Sequence, residues 1–171
     1  MIRLGLFAAV ALALAGCGDK TQPSKFDNKD KDGHDHSQHE RGTIRLEDAT
    51  LPGGKKCHAG LTAHLSEKEG NELDLLFETM DKDPKPLTVP EKTKITARVT
   101  RKGDDKAYTL EFAPAEKDER KTDPDGQCSR FTAKAPWMKA DDELDVTVTI
   151  EGVDAKIPWV KFLPSKYGHK H

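Results

Sequence analysis

Three histidines lie close together in the segment DNKDKDGHDHSQHE, residues 27–40, at a spacing that can bind a metal ion. His34, His36 and His39 form an H-x-H-x-x-H pattern among five acidic residues. Imidazole suits zinc and copper, and carboxylates add negative charge around the ion. A flexible peptide can wrap such ligands around one ion, although the entropy lost on ordering weakens binding. The segment is therefore either a Cu(II) or Zn(II) site or a polar tether in which histidine is tolerated.

The same segment does not satisfy the requirements of a calcium loop. Residues 28–33, NKDKDG, match the opening of the D-x-[DN]-x-[DN]-G pattern except that Asn28 stands where Asp is usual. The bidentate glutamate of such a loop belongs at position 39, which is a histidine, and Glu40 comes one residue too late. We therefore do not assign the segment to calcium.

A second histidine pair, His169 and His171, extends the metal hypothesis. Five of the seven histidines then lie outside any predicted core, at His34, His36, His39, His169 and His171. Metal binding needs neutral imidazole, so affinity should fall as the pH drops through the ordinary histidine pKa near 6.5.

Cys57 and Cys128 predict a disulfide if the chain is secreted, because paired thiols oxidise in such compartments. Closing a loop of about 70 residues would contribute roughly 4 kcal/mol on the chain-entropy model. The alternation of side chains along residues 57–65 places Cys57 on the core side of its strand. On the second strand Phe131 points inward, so the same alternation would place Cys128 on the outer side, unless the turn before Cys128 changes the alternation. A metal held by reduced Cys57 and Cys128 with His58 is the alternative.

The remaining candidate ligands have simpler interpretations. His58 and His64 fall on the solvent face of one predicted strand, six residues or about 20 Å apart, so they cannot bind one ion together without a bend or help from a third strand. We interpret both as ordinary surface histidines. Met80 and Met138 are isolated and are expected to fill the core.

Short strands separated by turn signals are the elements that would position these groups. The clearest strand is LDVTVTI, in which every second residue is apolar. The predicted strands span residues 57–65, 72–80, 94–100, 107–112, 130–134, 144–150 and 153–162. Seven or eight strands within residues 43–163 predict an all-β, immunoglobulin-like antiparallel β-sandwich, with a small open barrel as the alternative. Neither tryptophan lies between the two cysteines, so the resemblance concerns architecture only.

The first residues resemble the signal of a bacterial lipoprotein. Arg3 precedes an apolar run at 4–13 that is too short to span a bilayer, and small residues follow. Leu-Ala-Gly-Cys at residues 14–17 resembles the lipobox of that family. The resemblance implies removal of residues 1–16 and acylation of Cys17, which would anchor the chain to a membrane surface. A plain secretory signal with an incidental cysteine is the alternative.

Residues 18–42 contain almost no apolar side chain except Phe26, which is the composition of a segment that does not fold. The predicted organisation is a signal peptide at 1–16, a lipidated flexible tether at 17–42, a sandwich at 43–163 and a flexible tail at 164–171. Gly18 is not the aspartate associated with inner-membrane retention in relatives of this signal. We therefore expect a location at the outer membrane, facing the periplasm.

Charge and motifs limit the function. The net charge is −2 with no basic stripe, so we expect no nucleic-acid partner. The sequence has no G-x-S-x-G elbow, phosphate loop, dinucleotide fingerprint or C-x-x-C-H haem motif, and we expect no enzyme.

A lipid-anchored, immunoglobulin-like domain with flexible histidine clusters resembles periplasmic proteins of copper and heavy-metal homeostasis. This resemblance implies capture or buffering of copper or zinc and transfer to a metal-efflux or other envelope protein. The competing hypothesis is an envelope module that binds protein or glycan through Trp137 or the segment around Trp159, with incidental histidines.

Overall fold

Alternating apolar residues build most strands of the computed structural model, which describes residues 44–170 and side chains as far as residue 168. The strands are β1 (Arg45–Thr50), β2 (Lys56–Leu65), β3 (Glu72–Glu78), β4 (Val89–Pro90), β5 (Ile95–Arg101), β6 (Ala107–Pro114), β7 (Gln127–Cys128), β8 (Arg130–Lys134), β9 (Leu144–Ile150), β10 (Ile157–Phe162) and β11 (Gly168–Lys170). The described residues also include a short 3₁₀ helix, Lys117–Arg120. No helix in this part of the chain is long and apolar enough to cross a membrane.

The main sheet has the strand order β1-β2-β3-β8-β6-β5-β9-β10, while β4 and β7 form a separate pair. Strand β6 joins the two halves, because its first six residues pair with β5 and its last two pair with β8. The first and last strands of this path contact each other, and Trp159 Nε1 donates a hydrogen bond to the Arg45 carbonyl at 3.0 Å. The sheet thus curls around one core. The all-β, antiparallel prediction is confirmed.

Inward-facing side chains of both halves fill this core. The largest fully buried side chains include Trp159, Phe77, Phe131 and Phe162. Met138 is also buried, as the sequence predicts. Met80 is 49% exposed, so its predicted place in the core is wrong. The reason is that β3 ends at Glu78 and the chain leaves the sheet before Met80.

Residues 164–170, predicted as part of a flexible tail, instead continue the fold. They form a turn and then β11, which pairs in parallel with the end of β2. The predicted signal peptide, Cys17 and the tether histidines His34, His36 and His39 lie outside the described residues, as does His171.

Candidate metal-binding surface

The outward-facing side of β1, β2, β3 and β8 carries both histidines of β2, and we call it the outer face. Strand β2 reads KCHAGLTAHL, in which Cys57, Ala59, Leu61, Ala63 and Leu65 are buried in the core. Because successive side chains alternate, His58 and His64 lie on the outer face, as the sequence predicts. Their surroundings differ from those of ordinary surface histidines.

A carboxylate from β1 lies against one nitrogen of His58. The distance from His58 Nδ1 to Asp48 Oδ1 is 3.1 Å, and the histidine side chain is only 30% exposed. On the other side, Glu78 is the cross-strand partner of His58 and is buried. Its Oε2 has no hydrogen-bond partner among residues 44–170. Burial raises the pKa of the Glu78 carboxyl, and the nearby His58 lowers it in part.

His64 has the same kind of neighbour, supplied by β3. Its Nδ1 lies 3.4 Å from Glu72 Oε1, and both side chains are 14% exposed. The other carboxylate oxygen of Glu72 lies 2.7 Å from Lys134 Nζ on β8. Metal-binding histidines commonly donate the second ring N–H to a carboxylate, which fixes the tautomer and the orientation of the ring. Glu72 is placed to orient the His64 ring in this way.

The turn before β11 is hydrogen-bonded to β2. The Tyr167 carbonyl accepts from Ala63 N at 2.9 Å and from Thr62 Oγ1 at 2.7 Å. The Tyr167 ring stacks on Phe162, with centroids 5.5 Å apart. These contacts fix the position at which the chain begins β11.

The register of β11 places His169 beside His64. Gly168 pairs with Ala63 and His169 pairs with His64. A Cβ at Gly168 would lie 2.5 Å from the carbonyl oxygens of Ala63 and Pro164, so the close approach of β11 to β2 requires glycine. The sequence predicts a flexible tail at His169 and a solvent-exposed side chain for His64. Local sequence patterns indicate neither the pairing of β11 with β2 nor the contact of Glu72 with His64, because these contacts join residues from three parts of the chain.

Among the described side chains, no group of three or more His, Cys, Asp or Glu residues is arranged to hold a metal ion. The structure therefore brings together His64, Glu72 and the backbone position of His169, while His58 lies in a separate row about 20 Å along β2. Of the metal ligands predicted from the sequence, His169 is the one that falls within the described residues.

Cys57 and Cys128 are free, buried thiols in the structure. Strand β3 lies between β2 and the β7–β8 segment, as the bond from Phe77 N to the Ser129 carbonyl shows. Two strand spacings amount to about 10 Å, whereas a disulfide needs Cα atoms within about 7 Å. The predicted Cys57–Cys128 disulfide is therefore not present in the structure.

The two thiols are also poor candidates for a metal site. Burial raises the pKa of Cys57 from 9.0 to about 11, and burial likewise raises the pKa of Cys128. Two strand spacings separate the two thiols, so they do not converge on one ion. His58 moreover lies on the opposite side of β2 from Cys57.

A buried ion pair lies between the two histidine rows. Arg130 Nη2 is 2.6 Å from Asp74 Oδ2, and the Asp74 side chain is fully buried. Burial raises the pKa of Asp74, and the Arg130 guanidinium lowers it in part. The pair joins neighbouring strands β3 and β8, so we interpret it as structural.

The two tryptophans differ in environment. Trp159 is wholly buried in the core and is not available to a ligand. Trp137 is half-buried and stacks on Tyr108, with centroids 3.9 Å apart and an interplanar angle of 16°. The Arg101 guanidinium lies 5.4 Å from the Trp137 ring centroid and pairs with Asp142 at 3.1 Å.

A shallow cleft of about 410 Å³ opens at one end of the β1–β10 contact. Its lining includes the exposed Met80, Ile157 and the ammonium-bearing Lys56 and Lys156.

Comparisons with protein-family models, with curated protein sequences and with solved structures found no match for this chain.

Proposed function

We propose that the chain is a lipid-anchored protein of the bacterial cell envelope that captures or buffers Cu(II) or Zn(II) at its histidines and catalyses no reaction. The anchor is Cys17 of the lipobox-like segment, and the expected location is the outer membrane, facing the periplasm. His34, His36, His39, His169 and His171 are the proposed ligands at the two ends of the sequence.

One observation from the folded domain carries this proposal. Both histidines of β2 have Nδ1 within 3.4 Å of a carboxylate from an adjacent strand, Asp48 for His58 and Glu72 for His64. This is the arrangement that orients imidazole toward a metal. These carboxylate contacts are the feature of the folded domain that favours metal binding over simple solvent exposure of the two histidines.

The test is calorimetric titration of residues 18–171, without an added tag, against Cu(II) and Zn(II). A variant with His34, His36 and His39 changed to Ala is titrated beside it. We expect micromolar or tighter binding that weakens in the variant. Failure of both proteins to bind either ion at neutral pH would refute the proposal.

A second candidate function is binding of an envelope protein or glycan, and the half-buried Tyr108–Trp137 stack favours it. Aromatic faces at a surface can pack against sugars or peptides. In that case soluble cell-wall glycan fragments should change the fluorescence of Trp137, and the Trp137→Phe variant should lose that change. Because Trp159 is buried, its emission should report folding rather than ligand contact.

A further inference from the structure

We infer that β6 is an interface through which two copies of this chain associate, by antiparallel pairing of residues 107–112 across a two-fold axis at Leu110. A strand laid along an open sheet edge gains main-chain hydrogen bonds without any change of fold. The inference involves none of the histidines, so it goes beyond the proposed function and does not depend on it.

Most of one edge of β6 has no neighbouring strand in the described part of the chain. Residues 107–112 pair with β5, whereas the last two residues of the strand pair with β8 on the other side. The backbone bond from Ala115 N to the Arg130 carbonyl, at 3.0 Å, points toward that second side. Because backbone polar groups alternate in direction along a strand, Thr109 and Glu111 direct their N–H and C=O groups toward the open edge.

The two end strands of the main sheet carry features that discourage pairing, and the open edge of β6 does not. Strand β10 contains Pro158 and a register irregularity before Phe162, and β1 carries charges at Arg45 and Glu47. Charges, prolines and bulges are the usual protections of a sheet edge. Residues 107–112, AYTLEF, have no proline, one charge and several strong β-formers. Such an edge is a template for pairing with another chain.

The sequence of this edge is complementary to itself. With the two-fold axis at Leu110, Thr109 of one copy lies opposite Glu111 of the other, and Tyr108 lies opposite Phe112. The backbone groups of the first pair face the open edge, so each such pair exchanges both main-chain hydrogen bonds. The second pair brings two aromatic side chains together, which is a favourable cross-strand pair.

Charge complementarity on the solvent side of this sheet favours a second copy as the occupant. Arg98 on β5 pairs with Thr109, and both Arg98 and Glu111 are exposed. In the two-fold register, the row from Arg98 through Thr109 continues into Glu111 of the other copy, two strand spacings or about 10 Å from Arg98. Both charged side chains are long and lie on the same side of the sheet, so they can meet above the threonine. The two-fold axis makes this ion pair twice.

The experiment is sedimentation equilibrium of residues 18–171 in EDTA, so that no metal ion bridges two chains. We expect a reversible monomer–dimer equilibrium between about 5 and 500 µM, because an interface of this size is weak. Thr109→Pro removes an N–H that faces the open edge and should weaken association at least about 10-fold. The matched control is Thr109→Val, which keeps that N–H and should change association less than about 3-fold.

Two charge variants test the register. Glu111→Arg and Arg98→Glu each place like charges across the interface, and each should weaken association about 5-fold or more. An equimolar mixture of the two variants restores opposite charges at both contacts. The mixture should therefore form dimers about as readily as the wild-type chain, whereas a mixture no better than either variant alone would overturn the register and the inference.

Amide hydrogen exchange followed by NMR identifies what occupies the edge. The amides of Thr109 and Glu111 should gain protection as the concentration rises. Protection already present in the monomer would show that a segment of the same chain covers the edge, and would overturn the inference. A chain that stays monomeric, or a dimer that Thr109→Pro leaves unchanged, would overturn it as well. If the emission of the buried Trp159 shows that Thr109→Pro is unfolded, the charge variants decide the result.

Discussion

Replacing Arg130 with Met should destabilise the domain strongly, because it leaves the carboxylate of Asp74 without its cation inside the protein. The Asp74 side chain is fully buried, and its Oδ2 lies 2.6 Å from the guanidinium. Its other oxygen has no hydrogen-bond partner in the part of the chain that the structure describes. His64 also lowers the pKa of Asp74, but its effect is smaller than that of Arg130.

The size of the effect follows from this burial. Removing one partner of a buried ion pair typically costs about 3–5 kcal/mol. Domains of this size have total stabilities of about 5–15 kcal/mol. With a urea m-value of about 2 kcal/mol/M, the midpoint of unfolding should fall by about 2 M.

The assay is urea unfolding at pH 7, followed by the fluorescence of the buried Trp159. Lys134→Met is the matched control, because it breaks an ion pair on the same strand whose lysine is 66% exposed. That variant should lose less than about 1 kcal/mol. The double variant Asp74→Leu, Arg130→Met should recover most of the loss, since no charge is then left buried.

The pH dependence supplies a further check. Burial raises the pKa of Asp74, and loss of Arg130 should raise it more. A group whose pKa is raised in the folded protein destabilises the fold as the pH rises through that pKa, so the cost of Arg130→Met should shrink on acidification. An Arg130→Met variant as stable as Lys134→Met at pH 7 would refute this reasoning.

Three other predictions concern buried titratable groups. Glu78→Gln should raise the unfolding free energy at pH 7 by about 1 kcal/mol, because burial raises the pKa of Glu78 and so disfavours its charged form in the folded protein. The gain should vanish below pH 4.5, where the carboxyl is protonated in both the folded and the unfolded protein. Thiol titration of a variant with Cys17 changed to Ala should find no reactive thiol in the native domain and two reactive thiols, Cys57 and Cys128, in denaturant. If no thiol reacts in denaturant, the two cysteines form a disulfide. Burial raises the pKa of Cys57 from 9.0 to about 11, so stability should fall by up to about 3 kcal/mol between those pH values. The Cys57→Ala variant should lack this component of the pH dependence.

Strand alternation accounts for the parts of the fold that the sequence predicts well. Strand β9 spans Leu144–Ile150 as predicted, because one of its faces is buried and the other is not. The sequence does not predict strand β1, because its inward positions include the charged residues Arg45 and Glu47. Arg45 lies at the contact between the two sheet edges, where its carbonyl accepts from Trp159 Nε1. The signal that could have found it is the alternation of Ile44 and Leu46, whose side chains pack over Gly60.

The candidate site was less predictable than the fold. Alternation placed His64 on the outer face correctly, but nothing local indicates that Glu72 approaches its ring. The sequence of β11, Gly-His-Lys, has no strand preference, and the strand forms because Tyr167 and Gly168 fit against β2. Such pairings depend on contacts between residues about 100 positions apart.

Electron paramagnetic resonance of residues 18–171 with less than one equivalent of Cu(II) tests the central proposal most directly. The proposal predicts nitrogen hyperfine coupling from imidazole ligands, which should be lost when His34, His36, His39, His169 and His171 are all changed to Ala. A spectrum of copper coordinated by oxygen alone, or one that is unchanged in that variant, would contradict the proposal that these histidines bind metal.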